Sequence, residues 1–342
     1  MSNGTSPVRF GINFLPNRAV ELVEWVKAAE ETGFDIAGIA DSQSLYRDVY
    51  ACEALAAVNT RRIRFGSRVI NPQTRHPAVA ACAAATVAEL APGRTMIGVG
   101  TGDSAVDNIG VRPSTRAELA AYVRAIRELL SSGTTQYRGA ECRFTWGRFD
   151  IPIYLAASGP KMLQLAGEIA DGVIINTGLL PEIVRDSIAQ VKIGCERAGR
   201  QLSDVDMWWL PITNISDSAE RSLYEIAPTL SSAGSHLSRF TTEGKHIPEE
   251  LLDKVKELGR RYRSDQHDKP DSTNRALIAE LGLTDYLADR FSIAGTPRDC
   301  VAKLERAIEA GAHQFWMSIH FDDKIRFMRD WSSGVMPAFR HG

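Results

Sequence analysis

Residues Leu304–His320 read LERAIEAGAHQFWMSIH. Apolar residues at helical spacing lead to Gly311, and a short, nearly continuous apolar run follows. Glycine suits the end of a helix, because the left-handed conformation that often closes one costs it nothing. An apolar run without alternation is a strand buried on both faces, as in a parallel sheet covered by helices. The same unit recurs at Val26–Ser42, VKAAEETGFDIAGIADS, with Gly33 in the place of Gly311. It recurs again at Leu163–Gly178, LQLAGEIADGVIINTG, and in a variant at Val87–Gly100, VAELAPGRTMIGVG.

Beyond these units, strands are expected over 8–14, 34–40, 63–70, 94–100, 151–156, 172–176, 205–212 and 313–319. Helices are expected to centre near 25, 52, 83, 123, 165, 190, 303 and 327. Helix and strand alternating along most of a chain denote an α/β fold. Parallel strands with intervening helices in this number predict a (β/α)8 TIM barrel, with a doubly wound open sheet as the alternative. A length of 342 residues suits one barrel domain, 1–342, carrying an addition. That addition falls between the strand at 205–212 and the helix at 297–311. Helical spacing in EELLDKVKELGRRY, Glu249–Tyr262, predicts a mostly helical insertion over about 213–292. In a barrel such an insertion lies over the C-terminal face, where active sites are built. A lid and an oligomer contact are both open for it.

With 44% hydrophobic residues, 24% charged residues and a formal net charge of −2, the composition is that of an ordinary globular protein. No phosphate-neutralising excess is present, so no nucleic-acid partner is expected. Cys52, Cys82, Cys142, Cys195 and Cys300 are scattered, without a CxxC pair or a metal-spaced His/Cys cluster. Reduced thiols and no metal are therefore expected. The start, MSNGTSPVRFGINF, lacks a basic segment followed by a long apolar one, and no run is long enough to span a bilayer. A cytoplasmic location without membrane attachment is the expectation.

Met96–Gly110, MIGVGTGDSAVDNIG, runs from a strand into glycines, a threonine and an aspartate. If the strand belongs to a barrel, Thr101, Gly102, Asp103 and Ser104 lie at the mouth. The order GVGTG is not GxGxxG opening into a helix, and no Gly-Lys-Ser/Thr follows. On spacing alone, a ligand-contacting loop and a bare glycine turn stay open.

Several stretches in order carry a resemblance: DSQSLYRDVY from Asp41, GSRVINPQTRHPAVAACAAAT from Gly66, APGRTMIGVGTGDSA from Ala91, and IPIYLAASGPKMLQLAGEIADGVIINTG from Ile151. With FGINF at the start and GTPRDCVAKLERAIEAGA near the end, they cover nearly the whole chain. The chain resembles the bacterial luciferase-like superfamily of flavin and deazaflavin enzymes. It is most similar to the branch of methylenetetrahydromethanopterin reductase and other F420-dependent oxidoreductases.

The resemblance implies a TIM barrel with the cofactor ring in its mouth and the phosphate tail at one side. It implies a role near ring and substrate for Asp103, as proton donor or orienter, with Thr101 and Gly102 against the cofactor. Burial can raise a carboxyl pKa into a useful range for such a donor. A helix cap is the other use of an aspartate there. Asp41 is the second catalytic candidate. Its neighbour Ser42, a cofactor contact, stands where many F420 relatives have histidine. Arg68–Val69 matches the position of a non-proline cis peptide under the ring, although an arginine departs from the small residues expected. His76 is expected to begin a helix.

Ala157, Ser158, Gly159 and Pro160 match the phosphate loop. Small residues at a helix N-terminus form an anion site from free N–H groups and the helix dipole, and Pro160 fits the first turn. Lys161 adds charge or sits in solvent. Asn176 and Thr177 are expected to complete the pocket. Trp208, His267 and His320 are substrate candidates, with Trp209, His236 and Tyr262 as looser ones. Trp208 and Trp209 point to opposite faces of a strand, so at most one faces the lumen.

The implied activity is F420-dependent hydride transfer to or from a small organic substrate. The alternative is a two-component monooxygenase using O2 and reduced FMN from a separate reductase. A second alternative is a non-catalytic flavin-binding homologue. A homodimer through barrel helices is the family's expectation, and a separate flavin or F420 reductase fits either redox scheme.

Overall fold

The computed structural model describes residues 7–263, 273–321 and 323–340. With strands numbered in chain order, the barrel begins with β1 (Arg9–Phe14), β2 (Ile36–Ile39), β3 (Arg64–Ile70) and β4 (Thr95–Val99). A hairpin of β5 (Thr134–Tyr137) and β6 (Ala140–Arg143) intervenes. The barrel continues through β7 (Ile153–Ala157), β8 (Gly172–Ile175) and β9 (Asp206–Trp209). After β10 (Ile212–Ile215) and β11 (Ser292–Gly295), it ends with β12 (Gln314–Ser318). The order β1-β2-β3-β4-β7-β8-β9-β12 is parallel throughout, and β12 pairs back on β1, with Arg9 opposite Gln314 and Asn13 opposite Ser318. This closure makes the fold a (β/α)8 barrel and excludes the open sheet.

The surrounding helices start with α1 (Ala19–Glu31), α2 (Val49–Asn59), α3 (Pro77–Leu90), the short α4 (Ser104–Asp107), α5 (Arg116–Ser131), α6 (Pro160–Ile169) and α7 (Pro181–Arg197). Next come α8 (Ala219–Ser238), α9 (Leu252–Arg261), α10 (Thr273–Glu280) and α11 (Thr284–Phe291), then α12 (Pro297–Glu309) and α13 (Lys324–Gly334). Local chemistry sets their ends. Thr296 and Asp299 form a capping box ahead of α12, and Pro297 takes the first helical position. Gly33 and Gly311 hold φ of +86° and +111° after their helices, the left-handed backbone expected of them.

Two features differ from the sequence expectation. The β5–β6 hairpin was not anticipated. Its turn residues Arg138 and Gly139 have φ of 50° and 81°, which matches a turn twisted like the strands it joins. The strand expected at 205–212 is divided at Leu210–Pro211, and the chain re-enters the sheet as β10. β10 pairs in parallel with β11, Ile212 opposite Ser292, so paired strands bracket the four helices α8 to α11. Those helices bury a core of their own, including Leu230, Val255, Leu258, Ile278 and Leu287.

Inside the barrel, Ile36, Met96, Tyr154, Ile174, Trp208 and Trp316 fill the lumen. The two indoles meet edge to face at 5.6 Å. Burying a ring of this size removes roughly 200 Å² from water, on the order of 5 kcal/mol each. Below them Asp206 closes the N-terminal end. It accepts from Arg9 Nη2 at 2.5 Å, Gln314 Nε2 at 2.6 Å, Tyr154 Oη at 2.6 Å and Trp208 Nε1 at 3.0 Å. A ligand therefore meets the barrel at its C-terminal mouth. Among the described residues no helix is long and apolar enough to cross a membrane, and no group of three or more His, Cys, Asp or Glu could hold a metal. All five cysteines are free thiols.

Candidate active site at the barrel mouth

Strand β3 slips its register against β4 between Ser67 and Ile70, and the Arg68–Val69 peptide inside the slip is cis. Gly98 of β4 and Gly100 just after it are explained by this bulge. A Cβ on Gly98 would lie 2.1 Å from the Ser67 carbonyl oxygen, and one on Gly100 would lie 2.8 Å from Val69 Cγ2. They make room for the neighbouring strand rather than for a ligand. Arg68 reaches across the mouth, where its Nη2 donates to Ser318 Oγ on β12 at 2.9 Å. Its Nη1 is buried with no acceptor among the described residues, and burial pushes the guanidinium down to about 9.

The loop after β2 is tied to the loop after β4. Ser42 Oγ lies 3.0 Å from Ser104 Oγ, and Gln43 Nε2 donates to the Ala105 carbonyl at 2.7 Å. Asp41 does not face the mouth as a free acid or base. Arg75 grips it with Nε at 3.3 Å and Nη2 at 3.1 Å, and the same Nη2 donates to Asp48 at 2.8 Å. Asp48 caps α2 through Ala51 N–H, and His76 caps α3 through Ala78 N–H as expected. Beneath this cluster Glu53 is fully buried, and burial followed by the charge of Asp41 drives its carboxyl pKa far up. Asp41 thus pins the mouth loops together.

Asp103 lies at the mouth, but not as a cap: its side chain makes no bond to the N–H groups of α4. It faces the insertion, with Oδ2 3.3 Å from His236 Nε2 and Oδ1 bonded to Arg239 Nη1. Its side chain is 54% exposed. What burial it has works against the charge, yet His236 and Arg239 outweigh it and hold the carboxyl well below the ordinary range. The expectation that burial raises this pKa is therefore corrected. In this arrangement Asp103 is an anion.

The loop Ala157–Pro160 leaves β7 and opens α6. Gly159 is the N-cap, in extended backbone and with no side chain capping the helix, and Pro160 occupies the first turn. The nearest atom to a Cβ placed on Gly159 would be Lys245 Cε, at 4.0 Å. Lys245, 8% exposed, donates to the carbonyls of His236 at 2.9 Å and Arg239 at 3.0 Å. Burial, then the charges of Arg290 and Arg239, push it down to about 8. Lys161, next to Pro160, is exposed. Asn176 follows β8 beside the loop, its N–H donating to the Ala157 carbonyl at 2.9 Å. Thr177 turns its hydroxyl to Ser187 of α7 at 2.9 Å, and its carbonyl accepts from Arg290 Nε at 2.9 Å and Nη2 at 2.8 Å.

A sequence model of luciferase-like monooxygenases matches residues 4–314. The chain belongs to the luciferase-like monooxygenase family. It is 31% identical over 321 residues to a 5,10-methylenetetrahydromethanopterin reductase of Methanolobus tindarius, covering 89% of this chain and 92% of that one. It is 29% identical to an F420-dependent glucose-6-phosphate dehydrogenase of Amycolatopsis mediterranei, covering 94% of each. The solved coenzyme F420-dependent tetrahydromethanopterin reductase of Methanopyrus kandleri superposes with a TM-score of 0.79 at 25% identity, over 98% of this chain and 100% of that one.

In this luciferase-like chain the looser candidates divide. Trp208 is 0% exposed in the lumen, with its N–H on Asp206 at the closed end, so it packs the barrel and does not line the mouth. Trp209 turns the other way, into the core between strands and helices. His320 follows β12 two residues after Ser318, the partner of Arg68. His267 lies outside the described residues. Three residues of the site went unmarked in the sequence: Arg239, Lys245 and Arg290. Only Arg290 left a trace, as a charge set between the core positions Leu287 and Phe291 of α11.

Proposed function

We propose that this chain is an oxidoreductase that uses coenzyme F420 to exchange a hydride with a small organic substrate at the barrel mouth. The observation that carries this is the nearly end-to-end similarity to F420-dependent enzymes, together with a mouth whose donors suit such a cofactor. The unmatched Arg68 Nη1 is a charged donor for a ring carbonyl or ring anion. The uncapped start of α6 offers N–H groups and a favourable dipole to a phosphate.

On this reading Ser42, Arg68, Val69, Thr101 and Gly102 hold the ring. Ala157, Ser158, Gly159, Pro160, Asn176 and Thr177 hold the phosphate-bearing tail. When bound, F420 supplies the hydride-carrying carbon. Asp103 orients the substrate as a charged group, Asp41 positions the loops through Arg75, and His320 faces the substrate. The chain acts as one domain, its insertion covering the mouth. This is supported by the Asp103–Arg239 contact and by Gly244, where a Cβ would lie 2.9 Å from Pro160. A homodimer through barrel helices, a cytoplasmic setting and a separate reductase complete the proposal.

The family's monooxygenases make reduced FMN the competing cofactor. Fluorescence titration of the purified protein with F420 and with FMN, each oxidised and reduced, separates the two. Tight binding of F420 alone is expected. Tight binding of reduced FMN alone would replace the proposal with oxygen chemistry, and binding of neither would leave a non-catalytic homologue.

A further inference from the structure

We propose that the cleft between α4 and the insertion helices α8 and α9 binds an anionic group of the substrate. In this proposal Arg239 and His236 are the principal donors, and Asp103 is the internal carboxylate that occupies them until the substrate arrives. It rests on the oxidoreductase reading only in calling the ligand a substrate. The cleft encloses about 690 Å³, a volume suited to a small organic molecule. Arg239 and His236 come from the end of α8, and Lys256 and Arg260 from one side of α9, so cations from two helices converge on it. Asp103 and Asp107 form the facing wall.

The pair already holds an anion: the Asp103 carboxylate sits on His236 Nε2 and Arg239 Nη1. Its side chain is 54% exposed, and a half-exposed ion pair is weak enough for a competing anion to displace. A phosphate or carboxylate matches the fork of donors on a guanidinium at least as well. The α9 cations are equally available. Among the described residues Lys256 meets a surface neighbour, Asp253 at 3.7 Å, and Arg260 pairs with Glu257, both three residues back on the same helix. Asp103 stands on the same loop as Thr101 and Gly102, so displacing its carboxylate releases a charged group at the mouth. Recognition of the substrate's anion would then deliver the carboxylate to the reacting end. The depressed Asp103 pKa agrees with a carboxylate held by cations in the free protein.

Calorimetric titration with inorganic phosphate tests this, with the α6 loop blocked first, since that loop is also an anion site. Blocking is done in one arm with saturating F420 and in the other with Gly159→Asp. Phosphate is expected to bind the blocked protein at one site, and Arg239→Ala to weaken it about tenfold or more. Lys256→Ala and Arg260→Ala should each weaken it by roughly threefold. Asp103→Asn is expected to tighten phosphate binding by about tenfold, because the internal competitor loses its charge. A damaged fold cannot produce a gain. No phosphate binding to the blocked protein, indifference to Arg239→Ala, or no gain from Asp103→Asn would each overturn the proposal. Failure of F420 to bind would count against the cofactor assignment alone, because the Gly159→Asp arm still tests the cleft.

Discussion

Arg290 is the tie that the mouth depends on, and replacing it with methionine should be costly. It is 1% exposed at the end of α11. Its guanidinium donates twice to the Thr177 carbonyl, to the Lys245 carbonyl at 2.7 Å, to the His246 carbonyl at 3.2 Å and to Tyr286 Oη at 2.7 Å. Methionine keeps much of the volume and removes every donor. The Thr177 and Lys245 carbonyls are then left buried, each costing about 1–3 kcal/mol, or roughly 2–6 kcal/mol together, whereas the carbonyl of the exposed His246 can turn to water. Against this stands the relief of no longer burying a cation, on the order of several kcal/mol. The expected net loss is about 2 kcal/mol, read as a lower urea midpoint at unchanged slope. Arg290→Lys should recover part of it. Because Thr177 and Lys245 flank the α6 loop, F420 affinity should fall by about tenfold at temperatures where the variant stays folded. A loss under about 1 kcal/mol together with unchanged F420 affinity would refute the reasoning, since the carbonyls would then have found other donors.

Lys245 predicts a pH dependence. Its native pKa is about 8, below the ~10.4 of an unfolded lysine. Between those values the unfolded chain binds the extra proton, so stability should rise with pH across this window, by up to about 3 kcal/mol relative to Lys245→Met. Urea midpoints at pH 7, 8.5 and 10 check it, and parallel curves for the two proteins would exclude a lowered Lys245 pKa. Gly98→Ala should cost about 2 kcal/mol or more, because the new methyl meets the Ser67 carbonyl oxygen rather than a movable side chain. A thermal melt equal to that of the parent would show that β3 can shift.

The barrel was legible because its signals are local. Apolar runs at Gly172–Ile175 and Gln314–Ser318 announce strands covered on both faces, and the helix-ending glycines mark where each unit turns. The break at Leu210–Pro211 was harder to see. A strand leaving the barrel for β11 has the same apolar content as one that stays, and the choice depends on a partner eighty residues further along. The β5–β6 hairpin had a two-residue turn with glycine, but a positive φ at Arg138 is a weak prior for an arginine.

The mouth divides along the same line. Gly159 and Pro160 at the start of α6 could be placed from their own chemistry, since a helix start needs no distant partner to define it. Asp103 could be placed at the mouth but not given a charge state, because its state is decided by His236 and Arg239, 133 and 136 residues away in sequence. Asp41 too has a partner far off in sequence, because Arg75 donates to both of its oxygens. A carboxylate's position follows from its own strand, whereas its pKa follows from what the rest of the fold brings to it. The insertion thus sets the electrostatics around Asp103, whereas Arg68 and the start of α6 belong to the barrel. Exchanging α8 and α9 between family members should therefore alter anion preference in the cleft while leaving the proposed phosphate site at the start of α6 unchanged.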